Sequence, residues 1–180
     1  RGEGAELRTD DWVAVRGGKG VLITAEMQAE AVDRMLEMDG VIRQLEQALS
    51  LARSLQRSAE TAKATAGDTV SQQTLNDALE ELAQPGLILH APAGVGMMSA
   101  KAVRVSSGTD SVGIMSGHNT DISTGRSFTV AASDTVSLYA QGQGMQLYAA
   151  KGKVDIQAQD DEMGVTAQKD ITVSSTEGKI

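Results

Sequence analysis

Residues 136–175 read VSLYAQGQGMQLYAAKGKVDIQAQDDEMGVTAQKDITVSS, and this stretch decides the fold because one short pattern fills it five times. Each repeat places two apolar residues two positions apart and a small residue two positions later, as in Val154, Ile156 and Ala158. A spacing of two puts these side chains on one face of a five-residue strand. The three or four residues that follow are rich in Gly, Asp and Gln, which predicts a turn.

The same repeat covers most of the chain. Eleven repeats run from residue 87 to residue 175 at spacings of eight or nine residues, and three more lie within residues 5–25 at intervals of eight. Because both sets share one register, the segment between them is predicted to be an insertion into a continuous array. We therefore predict the first repeats at 1–25, an insertion at 26–86 and a shaft at 87–180, and we expect the array to continue past residue 180.

The repeats must stack, because a five-residue strand cannot bury its apolar face alone. Two mainly β architectures fit: a single-chain solenoid with three repeats per rung, and an intertwined triple-stranded β-helix, a trimeric β-prism to which three identical chains each give one strand per layer. The uniform period favours the trimer, since threefold symmetry makes all corners equivalent. Its predicted core consists of the large apolar positions of the repeats: Val13, Val15, Val21, Ile23, Leu87, Leu89, Val95, Met97, Val103, Val105, Val112, Ile114, Ile122, Phe128, Val130, Val136, Leu138, Met145, Leu147, Val154, Ile156, Met163, Val165, Ile171 and Val173.

The insertion has a different periodicity. Residues 26–83 switch from a period of two to steps of three and four, which predicts helix. The apolar positions form a coiled-coil seam in which Gln56 is the one polar member. Gly40 is predicted to interrupt this segment, which leaves residues 41–64 and 70–83 as an antiparallel α-helical hairpin.

The second helix has its own start and stop signals. Thr69 with Gln72 is typical of a capping box, and Pro85 with Gly86 ends the helix before the strands resume. An amphipathic hairpin offers a partner a groove or ridge that a plain shaft lacks. The positions predicted to contact a partner are Met38, Ile42, Leu45, Leu49, Leu75, Leu79 and Leu82.

Composition and charge argue against several functional classes. The net charge of −8 disfavours nucleic acid and anionic lipid as partners, because both are bound mainly through Lys and Arg. The absence of cysteine removes disulfides, thiolate zinc sites and cysteine nucleophiles. Aromatic residues make up only 2% of the chain, too few for an ordinary globular core.

Side chains suited to catalysis are scarce. His90 and His118 are the only histidines, and both are predicted to point outward into solvent. Three acidic residues at 160–162 share one turn and are predicted to be solvated as well. We therefore predict no catalytic residue, no cofactor and no metal site. The alternatives that remain are a single-chain β-solenoid enzyme acting on polysaccharide, and a phage tail fibre or adhesin stalk built on the same physics.

Several short stretches, in the right order along the chain, resemble a known family. They are LRTDDW at 7–12, GGKGVLITA at 17–25, PGLILHAP at 85–92 and AQKDITV at 167–173. Together they resemble the C-terminal shaft of VgrG, the valine-glycine repeat spike of type VI secretion, over essentially the whole chain. The resemblance implies a homotrimer and a structural role without catalytic residues.

The resemblance also implies a function and a set of partners. It implies a needle, similar to the spike of contractile phage tails, that punctures target membranes when a sheath contracts and that carries effectors. The implied partners are a PAAR-type tip protein, the secretion tube protein and toxic effectors or their adaptors. The implied location is the cytoplasm of the producing bacterium, followed by secretion through the type VI apparatus to the exterior or into a target cell.

Overall fold

The structure of the chain is a computed structural model that describes residues 4–27 and 36–178. Residues 28–35 of the predicted insertion therefore lie outside the described part. The chain divides into two compact units, Arg1–Gln141 and Gly142–Ile180. The described elements belong to the first unit, and in chain order they are β1 (Val21–Thr24), α1 (Asp39–Thr61), α2 (Thr69–Leu79), a single 3₁₀ turn (Glu80–Leu82) and β2 (Leu87–His90). No described helix combines the length and apolar character needed to cross a bilayer.

Strands β1 and β2 lie side by side although the insertion separates them in sequence. They pair in parallel, with Val21 opposite Leu87 and Thr24 opposite His90. Because side chains alternate across a strand, Leu22 and Ile88 point to the face opposite the repeat's apolar positions. We call this the outward face, and the face that bears the apolar positions the inward face.

The two helices form the antiparallel hairpin that the sequence predicts. The side-chain amide of Asn76 donates to the carbonyl of Leu45 at 3.0 Å, and the Thr69 hydroxyl donates to the Gln56 side chain at 2.6 Å. The second bond explains the one polar residue in the predicted seam, because Gln56 meets the start of α2. Helix α1 ends just before Lys63, whose φ of 60° is left-handed.

The capping prediction for α2 is wrong by one residue. Asp68 is the N-cap, and its Oδ1 accepts a hydrogen bond from the backbone N–H of Ser71 at 2.9 Å. Thr69 is instead the first helical residue. Both residue types can cap a helix. The Thr69 hydroxyl instead donates to Gln56 of α1.

A small hydrophobic core joins the base of the hairpin to the outward face of the two strands. Its buried members are Met38 and Val41 at the start of α1, Leu82 at the end of the hairpin, and Ile88 in β2. Leu22, Ile42, Leu45 and Leu79 pack around them. The hairpin is therefore anchored on the strands that lead into and out of it.

The repeats after β2 are extended segments joined by bends. Within residues 91–178 the described backbone forms no strand ladder, and from Leu87 onward the predicted core side chains are 50–76% exposed in the single chain. The second unit has the same character, with an exposed ion pair of 2.9 Å between Lys153 and Asp155. In its acidic turn, Asp161 accepts from the N–H of Glu162 at 2.7 Å.

Candidate partner interface

The base of the hairpin carries a polar cluster beside the hydrophobic core. His90 Nδ1 lies 3.5 Å from the Glu26 carboxylate and 3.3 Å from the Thr24 hydroxyl. The same carboxylate sits against the first turn of α1, since a Cβ on Gly40 would lie 2.6 Å from Glu26 Oε2. The prediction that His90 is solvated is wrong: its side chain is 7% exposed because the insertion folds back over the outward face.

The tip of the hairpin, where α1 turns into α2, is fastened to the repeats by two hydrogen bonds. Asp68 Oδ2 accepts from the Ser111 hydroxyl at 2.7 Å, and the N–H of Thr65 donates to Ser137 Oγ at 3.1 Å. The hydrogen bonds from Ser71 and Ser111 lower the pKa of Asp68 to about 2. The carboxylate is therefore ionised at neutral pH, where it caps α2 and holds the repeats at the same time.

Between base and tip, α1 does not close onto the repeats. A cavity of about 500 Å³ separates them, with the Leu51, Leu55 and Ala59 side of α1 facing Met115 and Tyr139 of the repeats. Its lining is largely apolar, although Leu55 remains 45% exposed. The hairpin thus contacts the repeats at its base and at its tip, and a cavity separates α1 from the repeats between these contacts.

The contact points of the hairpin recur with a fixed period. We number the repeats from residue 87, so that repeat 1 is 87–91, repeat 4 is 112–116 and repeat 7 is 136–140. His90, Met115 and Tyr139 occupy the same outward position of these three repeats, and each lines a cavity against the helices. The hairpin therefore meets its own chain at every third repeat.

A second cavity, of about 340 Å³, lies between α1 and α2 and is lined by residues of the two helices and by Glu80 of the 3₁₀ turn. Ile42, Leu45 and Leu49 supply its apolar lining. Charged side chains surround them, with Arg53 and Arg57 toward the tip and Glu46, Asp77 and Glu80 toward the base and along α2. We call this cavity the interhelical groove.

The residues predicted to contact a partner from the helices have different environments. Met38, Leu49 and Leu82 are buried, at 3%, 6% and 8% exposure, and Leu75 is 55% exposed. The half-buried positions are Ile42, Leu45 and Leu79. Of the seven, Ile42 and Leu45 are both accessible and part of the interhelical groove, while Met38 and Leu82 hold the hairpin to the strands.

The positions with catalytic potential are not brought together. His118 is exposed in its turn, where its N–H donates to the Ser116 hydroxyl at 3.3 Å. Within residues 4–27 and 36–178, no group of three or more His, Asp or Glu side chains is placed to hold a metal ion.

The outward-facing apolar residues form a contact surface that was not predicted from the sequence. Leu22, Ile88, Met115 and Tyr139 stand at outward positions, where most other repeats carry Ser, Thr, Asp or Gly. A matching stripe on α1, at Val41, Gln44, Ala48, Leu51 and Leu55, steps by three and four residues beside the predicted seam. Breaks in the apolar-in, polar-out alternation were the available signal.

Comparison with known families agrees with these features. Residues 74–180 match the family described as "Uncharacterized protein conserved in bacteria (DUF2345)", and residues 1–59 match "Putative type VI secretion system Rhs element Vgr". The chain is 30% identical to the type VI secretion system spike proteins VgrG2a and VgrG2b of Pseudomonas aeruginosa PAO1, over 98% of its own length. It spans only about a fifth of these relatives, 22% of the first and 18% of the second.

Two solved structures share the fold over 100% of the chain, at 59% identity and a TM-score of 0.96. One is the VgrG spike from the type 6 secretion system, of which the chain covers 68%. The other is the Tle1 effector bound to the VgrG spike, of which it covers 56%. With this identity, this coverage and family matches at 1–59 and 74–180, the chain belongs to the VgrG family of type VI secretion spike proteins.

Proposed function

We propose that the chain forms part of the shaft of a homotrimeric spike, an intertwined triple-stranded β-helix interrupted at 26–86 by the helical hairpin. The observation that carries the proposal is the unpaired repeat backbone. In the described part of residues 91–178, the backbone–backbone hydrogen bonds reduce to one turn, from Gly94 N–H to the carbonyl of Ala91. Extended backbone without partners in its own chain offers free N–H and C=O groups that strands of neighbouring copies can pair with, as the exposed edge of a sheet does. Such pairing would satisfy these groups once an assembly buries them.

The inward face supports the same assembly. Its Val, Ile, Leu, Met and Phe side chains are at least half exposed from Leu87 onward, and an apolar surface of this extent marks an interface. Three copies around a common axis would bury these side chains against one another. The predicted core residues of the repeats are the residues that this assembly buries.

The spacing of the hairpin contacts supports the trimer over a single-chain solenoid. In a solenoid, repeats 1, 4 and 7 would be adjacent strands, so that repeats 1 and 7 would lie about 10 Å apart. The contacts require a larger separation, because α1 runs from Gln44, beside repeat 1, to Ala59, which lines a cavity with Tyr139 of repeat 7, about 22 Å along its axis. A separation of about 29 Å between repeats 1 and 7 results if two strands from other copies lie between repeats 1 and 4 and two more between repeats 4 and 7.

The functional role follows from this assembly and from the family. Continuous backbone ladders between chains and a dry apolar interior give the stiffness that a membrane-puncturing needle requires, and the role is structural rather than enzymatic. The partners are a tip protein, the secretion tube protein and effectors. The chain acts in the bacterial cytoplasm and then outside the cell. A relative of 59% identity has been solved with the Tle1 effector bound, which supports effector carrying.

The proposal is tested by the mass of the chain in solution. Light scattering should give a species of three times the chain mass of 18.8 kDa that persists in moderate denaturant. A stably folded monomer would contradict the trimer and favour the single-chain solenoid.

We further propose the interhelical groove as an effector contact, because it combines an apolar lining at Ile42 and Leu45 with charged side chains. To test the groove, binding of the purified Tle1 effector to the chain is measured by calorimetry. The double change Arg53→Glu and Arg57→Glu should weaken binding at least tenfold, whereas Arg126→Glu, in a turn outside the hairpin, should leave it unchanged. Equal affinity for all three proteins would eliminate the groove as the contact and leave the spike assignment intact.

A further inference from the structure

We infer that the hairpin of each copy covers strands of its two neighbours, and that Met98 of a neighbouring copy packs against Ala48 on α1. This inference rests on the proposed trimer. It concerns a surface that a single chain leaves incomplete, namely the gap between α1 and the repeats. The occupant of that gap is a second copy of this chain.

The strands on one face of the proposed prism have a fixed order. A chain that returns to the same face at every third repeat leaves room there for two strands between its own. With one strand spacing per repeat, these are repeat 2 of one neighbour and repeat 3 of the other. The parallel, in-register pairing of β1 with β2 shows the spacing and direction that such strands adopt.

Met98 lies at an outward position of repeat 2. It stands at the outward position that His90 occupies in repeat 1, Met115 in repeat 4 and Tyr139 in repeat 7. These three residues line cavities against the helices, so the position as a whole lies under the hairpin. Within its own chain Met98 is 93% exposed, so it makes little contact with its own hairpin.

The position of His90 fixes where the contact lies on α1. His90 lies in a cavity with Gln44 and Leu45, and the next strand lies about 4.8 Å further along the prism. At 1.5 Å per residue this distance is about three residues of helix, which leads from Gln44 or Leu45 to Ala48. Ala48 belongs to the stripe of α1 that faces the repeats, and its small side chain leaves room for a long, adaptable methionine.

The same strand order accounts for the cavity of about 500 Å³ that α1 forms with repeats 4 and 7. The strands that would pass there are repeats 5 and 6 of the neighbours, which carry Ser123 and Ala131 at the equivalent outward position. Small side chains suit strands that run beneath a helix already held at both ends. Each hairpin would thus tie three chains together on one face.

The test uses cysteine pairs, which is straightforward because the chain has no native cysteine. The pair Ala48→Cys with Met98→Cys, oxidised with copper phenanthroline, should yield covalent dimers and trimers on non-reducing gels. The matched control pair is Ser50→Cys with Met98→Cys, because Ser50 lines the interhelical groove on the other side of α1. The control pair should remain monomeric on the gel under the same oxidation.

A second measurement needs no substitution. Met98 should oxidise in dilute peroxide at least several times more slowly than Met27, which is 84% exposed, with rates read by peptide mass spectrometry. A trimer in which Met98 and Met27 oxidise equally fast, or in which the 48–98 pair fails to link chains, overturns this inference alone. A solution mass of one chain overturns the trimer itself, so the two failures are distinguishable.

Discussion

Gly20 controls the turn that aligns β1 with the end of the insertion. Its φ of +126° is left-handed, and a Cβ there would lie 3.0 Å from the Gly86 carbonyl oxygen, which also accepts from the N–H of Val21. Gly20→Ala should therefore destabilise the fold by about 1–3 kcal/mol. Gly18→Ala is the matched control, because a Cβ at Gly18 meets no atom within 4 Å. Thermal unfolding followed by circular dichroism measures both, and equal midpoints for the two variants would contradict the prediction.

Asp68 makes the attachment of the hairpin tip depend on pH. Because its pKa in the folded protein, about 2, lies below that of the unfolded chain, its contribution is complete above about pH 4 and is lost as pH falls toward 2. Asp68→Ala should lower the unfolding midpoint at pH 7 and should flatten the decline between pH 4 and pH 2. Asp134→Asn, in an exposed turn, controls for the general effect of a lost charge. Parallel pH profiles for wild type and Asp68→Ala would refute the role.

At the scale of elements, periodicity predicted most of what the structure shows. The helical hairpin was predicted because steps of three and four residues identify a helix, and Gly67 and Pro85 mark its turn and its end. The predicted break at Gly40 is wrong, because Gly40 is the second residue of α1. The placement of the hairpin on the repeats was not predictable, because it depends on single outward residues such as Ile88 and Tyr139. A single apolar residue at an outward position forms no periodic pattern. Its role in packing is therefore visible only once the structure places a helix against it.

Ile88 anchors the base of the hairpin to β2. It is 7% exposed and belongs to the same buried cluster as Met38 at the start of α1 and Leu82 at the end of the hairpin. Ile88→Ala removes three buried carbons and should cost about 2–5 kcal/mol, whereas Ile88→Val should cost about 0.5–1.5 kcal/mol. Hydrogen exchange of the α1 amides should rise in the alanine variant before the repeats unfold, because the hairpin base loosens first. Unchanged α1 protection in Ile88→Ala would show that the tip bonds alone hold the hairpin.

For the whole molecule, the repeat pattern predicts which side chains an assembly buries, and the exposed fractions in the single chain do not. Leu147 and Tyr148 are neighbours, 70% and 86% exposed in one chain, so exposure alone predicts that either tolerates a charge. The period of two assigns Leu147 to the inward face and Tyr148 to the outward face. Only the first residue would be buried when three chains wind around one axis.

Leu147→Asp and Tyr148→Asp therefore form a matched pair that tests the assembly directly. In Leu147→Asp, three carboxylates would meet in the dry interior, where each unpaired charge costs several kcal/mol, so the trimer should dissociate or lose its unfolding cooperativity. In Tyr148→Asp the carboxylates stay in solvent, so the mass of three chains should persist. Light scattering on both variants at equal concentration measures the difference. If both remain trimeric, or if both dissociate, the assignment of the inward face is contradicted, because it places the two neighbouring positions on opposite sides of the strand.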